Sequence, residues 1–137
     1  MPYLDPTRES AQALIARQIE GPITMLNLLR FRAEADYSET PELAPSEPIS
    51  GAEAYRRYAE ETMPFLIESG GEVILDGTAG QFFIGPTSER WDHVLVVRQR
   101  SLNDFFAFAS NPGYLAGLGH RTAALEDSRL LPIATEA

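Results

Sequence analysis

The chain contains no cysteine, which excludes disulfides, thiolate metal sites and thiol chemistry at once. Cations are scarce: Lys and Arg total 11 against 20 Asp and Glu, a formal net charge of -9. Such a surface repels phosphate backbones and anionic headgroups, so neither nucleic acid nor a membrane is expected as a partner. No apolar run approaches the roughly 20 residues that span a bilayer. The opening Met1-Pro2-Tyr3-Leu4-Asp5 has neither a basic region nor an apolar stretch behind it, so no signal peptide is read there and a cytoplasmic protein is expected. Only two histidines occur, with no His-x-His or His-x-x-x-His spacing, and no metal site is expected. No serine sits in a Gly-x-Ser-x-Gly turn and no glycine loop follows a strand, so neither a nucleophile elbow nor a nucleotide cofactor is expected.

What the chain does have is enough apolar residue, 44% over 137 positions, for one core without staples. A single domain over 1–137 is therefore expected. The clearest stretch is Trp91-Asp92-His93-Val94-Leu95-Val96-Val97-Arg98. Its four consecutive aliphatics mark a strand covered on both faces. Ile23 to Phe31 reads the same way, with Ile23, Met25, Asn27, Leu29 and Phe31 on one face and Thr24, Leu26, Leu28 and Arg30 on the other. Both strands should be central.

The remaining elements follow in order. Asp5-Pro6 is expected to open an N-terminal helix over 6–20 that buries Ala11, Leu14 and Ile15 and stops at Gly21-Pro22. Residues 32–49, rich in proline and acids, read as a long loop, either a lid or a mobile segment, from which Tyr37 and Leu43 could fold down over a pocket or onto a partner subunit. Ser50 and Glu53 form a capping box for a helix that buries Tyr55, Tyr58, Thr62 and Leu66 and ends at Gly70-Gly71. A long strand, Glu72 to Ile84, is expected to bulge near Gly77 and Gly80, and Gly85-Pro86-Thr87-Ser88 to turn it into the Trp91 strand. Capped helices begin at Ser101 and Asn111, and Ser128 to Ile133 reads as a last strand with Pro132 at an edge or end.

A helix followed by β-α-β-β-α-β, with one added helix, is a split β-α-β: an α+β ferredoxin-like sandwich, a four-stranded antiparallel sheet with helices on one face. The other face, bearing Leu26, Leu28, Val94 and Val96, has no helix left to cover it. A homodimer through that open face is the economical expectation.

Met25-Leu26-Asn27-Leu28-Leu29-Arg30-Phe31, Ala54-Tyr55-Arg56-Arg57-Tyr58, Gly70-Gly71-Glu72-Val73, Trp91-Asp92, Ser110-Asn111-Pro112 with Tyr114, and His120-Arg121 leading to Asp127-Ser128-Arg129-Leu130 together resemble an uncharacterised family, domain of unknown function 1330. Their order and spacing carry the likeness from Gly21 to Pro132. The resemblance implies membership of the dimeric α/β-barrel superfamily, in which two ferredoxin-like sheets pair into one barrel. It also implies a pocket between sheet and helices. That superfamily holds cofactor-free monooxygenases, small isomerases and haem-degrading enzymes; the family itself brings no established reaction.

Among residues able to carry chemistry, Asn27 is an amide inside an apolar row, where it needs partners or costs about 1–3 kcal/mol; it could bind a carboxylate or enolate-like oxygen, or only satisfy local backbone. His120, to which the resemblance points, is the candidate acid/base, set against the reading of a helix residue near a C-terminus. His93 reads first as a strand-end residue satisfied by a neighbour. Arg30 and Arg129 should share a neighbourhood with Asn27 and could clamp an anion, or could simply pair with nearby acids. Tyr58, Trp91 and Arg121 are further ligand-binding candidates. The expected function is a homodimeric small-molecule-binding protein. As an enzyme it would transfer protons or oxygenate a small anionic or aromatic compound without a cofactor. A non-catalytic dimeric module and a haem-binding or haem-degrading protein are the alternatives.

Overall fold

The two continuous aliphatic runs take the middle of the sheet. In the computed structural model, which describes residues 2–135, β1 (Ile23–Phe31) lies between β3 (His93–Gln99) and β4 (Leu125–Ala134), and β2 (Glu72–Thr78) flanks β3. The order is β2-β3-β1-β4, with every neighbouring pair antiparallel. Pro132 falls on the edge strand β4, where a missing N–H is tolerated.

Register assigns the faces. Met25 pairs with Val97, Asn27 with Leu95 and Leu29 with His93, so these residues share the face that meets the helices. Leu26, Leu28, Val94 and Val96 share the other, joined by Leu75, Leu131 and Ile133, which are exposed. Among the described residues no helix covers that side, as expected.

The helical layer consists of α1 (Arg8–Ala16), α2 (Gly51–Glu68), α3 (Leu102–Ala109) and α4 (Pro112–Ala124). Ser50 caps α2 through the Glu53 amide and Ser101 caps α3 through that of Asp104. The Glu53 carboxylate pairs with Arg56 instead of reaching back, so only half of that capping box forms. Helix α2 runs through Pro64 to Glu68. The tightest core lies at one end of the layer, where Leu29, Tyr55, Ala54, Ala123, Ala124 and Leu125 pack together.

Four expectations are corrected. The N-terminal helix is shorter than 6–20 and is capped by Thr7, whose hydroxyl accepts from Ser10 N while Ser10 Oγ accepts from Thr7 N; none of its residues is buried. Strand β2 stops at Thr78, because residues 79–90 form an exposed arm, held at its base by Ala79 N on Asp92 O, Trp91 N on Gly80 O, the Gln81 to Arg90 bridge and the Arg30 guanidinium on Arg90 O. The β2 bulge falls between Val73 and Leu75, ahead of the glycines. The 32–49 segment is neither lid nor free loop. Its Tyr37 is buried in the core, Ala35 N donates to Ile49 O, and Asp36 N donates to Ala123 O.

Candidate functional site

The helices do not close onto the whole sheet. Beyond the packed end, a cavity of about 1070 Å³ separates the sheet face of Met25, Asn27, Leu95 and Val97 from α2, α3 and α4. Close-packed interiors leave few voids larger than a water molecule, so this space is built into the fold. Its helical wall is aromatic, with Tyr55, Tyr58, Phe105 and Tyr114 among its residues. Helix α1 borders it through Ala11 and Leu14, which explains an amphipathic helix without a buried residue.

Asn27 faces this cavity. Its Nδ2 donates to Leu95 O at 3.1 Å and to Met25 O at 3.3 Å. With both amide hydrogens directed at strand carbonyls, Oδ1 is left without a partner among the described residues. The group offered to a ligand is therefore an acceptor, opposite to the oxyanion-binding role read from sequence.

His93 also faces the cavity, and its Nε2 contacts Asp76 Oδ1 on β2. The bulge after Val73 makes this pairing possible. It shifts the alternation of β2 so that Asp76 comes opposite Leu95 and Thr78 opposite His93, on the helix-facing side. Phe31 stacks near both His93 and Tyr55, with ring centres 6.0 and 5.6 Å apart. Burial pushes the Tyr55 hydroxyl up to about 12 and raises that of Tyr58 well above its ordinary value. Both phenols are thus neutral donors near neutral pH. Tyr58 and Tyr114 share a hydrogen bond of 2.8 Å, while Tyr55 OH has no partner among the described residues.

The other sequence candidates divide. Arg121 lines the cavity, but its Nη1 donates to Leu4 O at 2.5 Å and its Nη2 to Ser128 Oγ at 3.4 Å. Arg129 borders the cavity at the β4 edge, its Nη1 held by Asp127 and by Ser128 O at 2.7 Å. By strand alternation Arg30 and Arg129 belong with Leu28 on the uncovered side, so the expected convergence of Asn27, Arg30 and Arg129 does not occur. Both guanidiniums lie 4.9 Å from the ring centre of the buried Trp91, and Arg129 also lies 4.8 Å from that of Tyr3. Arg30 and Trp91 stand outside the cavity wall.

His120 stands outside it as well. It is buried between α2 and the 32–49 segment, with Nδ1 2.7 Å from Tyr37 OH and Nε2 3.4 Å from Glu61 Oε2. Asn27 and His120 do not share one cavity. The residues missed by sequence reasoning are Asp76 and Tyr55 as cavity groups. Nothing in the sequence marks Asp76, because the bulge after Val73 sets its side, and the helical period shows only that Tyr55 is buried.

No protein-family model and no curated protein matches this chain. A solved structure of a protein of unknown function from Rhodopseudomonas palustris is 35% identical, with a TM-score of 0.85, over 100% of this chain and 99% of that one. A dimeric protein of unknown function with a ferredoxin-like fold from Bacteroides fragilis matches 85% of this chain and 99% of its own at 14% identity and a TM-score of 0.51. A DABB family protein with a ferredoxin-like fold from Mesorhizobium loti matches 86% of this chain and 100% of its own, at 11% identity and a TM-score of 0.50. At these identities the last two show the fold alone: the chain is ferredoxin-like.

Proposed function

Since the chain belongs to the family of the Rhodopseudomonas palustris protein, whose length it matches throughout, we propose that it is a homodimeric binding protein for a small, largely apolar organic molecule. The ligand sits in the cavity between sheet and helices. The observation that carries this reading is the cavity itself. At about 1070 Å³ it equals the upper range of small-molecule sites, near 1,000 Å³, and it has the apolar walls and few polar groups typical of them. A purely structural module would gain stability by filling this space with the side chains that line it.

Proton transfer is the chemistry available to such a site. The acid/base would then be His93, because His120 is engaged with Tyr37 and Glu61 away from the cavity.

The test uses a neutral apolar dye, Nile red. The wild-type protein should bind it at one molecule per subunit. Leu95→Phe, which extends a ring into the cavity from β3, should weaken binding about tenfold while leaving the oligomeric mass unchanged. Saturable binding that is absent in the wild type, or unaffected by the filled cavity, would remove the reading.

A further inference from the structure

Resting on the cavity reading above, we infer that Asn27, His93 with Asp76, and Tyr55 form a polar subsite selecting a ligand hydroxyl of the phenol or enol type over a carboxylate.

The reason is the balance of donors and acceptors on the cavity wall. Asn27 directs its Nδ2 at Met25 O and Leu95 O and so presents Oδ1. His93 turns Nε2 toward the Asp76 carboxylate. An ionised carboxylate only accepts, so the Nε2 that meets it carries the hydrogen, and in the neutral imidazole Nδ1 is then a lone pair. Nδ1 has no partner among the described residues. These two acceptors lie on one sheet face at adjacent non-sequential positions, Asn27 opposite Leu95 and His93 opposite Leu29. Diagonal neighbours of this kind are about 7–8 Å apart, a span that one aromatic ring crosses.

A carboxylate brings only acceptors to such a wall and would face Asn27 Oδ1 and the Asp76 charge. A hydroxyl brings one donor and one acceptor. Its hydrogen can go to His93 Nδ1 or Asn27 Oδ1, and its oxygen can accept from Tyr55 OH. That phenol stands close to the same corner through Phe31 and has no other partner among the described residues. The arginines that line the cavity and could favour an anion, Arg17, Arg56, Arg121 and Arg129, already have guanidinium groups on Pro132 O, on Glu53 and Glu60, on Leu4 O and Ser128, and on Asp127 respectively. Most of the lining surface is apolar, which suits a ring and penalises a second charge.

Three probes on one ring system test this: 2-naphthol, 2-naphthoate and naphthalene, each competing against Nile red. The wild type should bind 2-naphthol about tenfold more tightly than either of the others, one hydrogen bond's worth. His93→Phe and Tyr55→Phe should each bring 2-naphthol down to the affinity of naphthalene while Nile red binding persists, which also reports that the variant is folded. Should His93→Phe fail to fold, Asp76→Asn keeps the shape but frees the tautomer, and should cut the 2-naphthol preference severalfold. Equal or tighter binding of 2-naphthoate, or an unchanged preference in these variants, would overturn the subsite. A wild type that does not bind Nile red would instead overturn the cavity reading beneath it.

Discussion

Asn27 does two things with one amide: its nitrogen ties two strand carbonyls, and its oxygen meets the cavity. Asn27→Leu should therefore lower stability by on the order of 1–2 kcal/mol in chemical denaturation, because Met25 O and Leu95 O lose a donor. An unchanged midpoint would mean that those bonds are not made. Tyr55 predicts a pH effect. Its folded value is raised to about 12, so the neutral form is favoured on folding. Its contribution is complete below the unfolded value of 10.0 and is lost as pH rises through 12. Tyr55→Phe should flatten the fall of melting temperature between pH 9 and 11 relative to wild type. That an amide in an apolar row has a task was legible from the sequence, because alternation alone marks the misfit. The choice between the two histidines was not. Each is a single imidazole among aliphatics, and each meets a carboxylate, Glu61 for His120 and Asp76 for His93. What separates them is that His93 faces the cavity, with Asp76 brought to it by a one-residue bulge after Val73 that no glycine announces.

At the scale of elements, the N-terminal segment and the 32–49 loop exchange the roles read from sequence. The loop follows the outer helical layer. An added Cβ on Gly119 would come 2.7 Å from Leu43 Cδ1 and 2.7 Å from Thr40 Oγ1, so the loop is seated close against α4 at that glycine. Composition marked that loop as irregular but could not show that its one tyrosine would bond a buried imidazole. The N-terminal segment borders the cavity and is tethered at both ends: Tyr3 N donates to Asp127 Oδ1 at 2.8 Å, Ser128 Oγ donates to Tyr3 O, and Arg17 Nη1 donates to Pro132 O at 2.8 Å. Burial works to raise the Asp127 carboxyl, but the amides of Tyr3 and Ser128 and the Arg129 guanidinium outweigh it and hold it below its ordinary value of 3.8. The tether is thus complete above that value and is lost as pH falls below it through the depressed folded value. Limited proteolysis at neutral pH should cut first in the exposed arm of residues 79–90, where Phe83 is fully exposed, and should spare 32–49. Asp127→Asn should add an early cut within the first 20 residues. First cleavage within 32–49 would return that segment to a mobile lid.

For the whole molecule, the deciding feature is the bare sheet face. Leu26, Leu28, Val94 and Val96 form the centre of this face, and Leu75, Leu131 and Ile133, 49%, 57% and 40% exposed, extend it to both edges. A flat apolar patch spanning four strands is larger than a monomer ordinarily leaves in water. Among the described residues no helix folds over it, since all four helices lie on the cavity side; at one end Arg30 donates to Arg90 O of the 79–90 arm. A second copy supplies a surface of the same shape and polarity, and a two-fold arrangement sets each patch on its equivalent and leaves both cavities open outward. Sedimentation should accordingly give about twice the 15.1 kDa chain mass at micromolar concentration. Leu28→Glu places a carboxylate at the centre of the face, opposite Val94 on one neighbouring strand and Arg129 on the other. Buried without a full complement of partners, that charge costs several kcal/mol, so the variant should sediment as a monomer or lose its cooperative melt. Glu72→Gln, at the outer end of β2, should leave the mass unchanged. A wild type that sediments as a monomer with the face exposed would show that the open sheet needs no partner, and the dimer would fall while the cavity, on the opposite side of the same sheet, would stand.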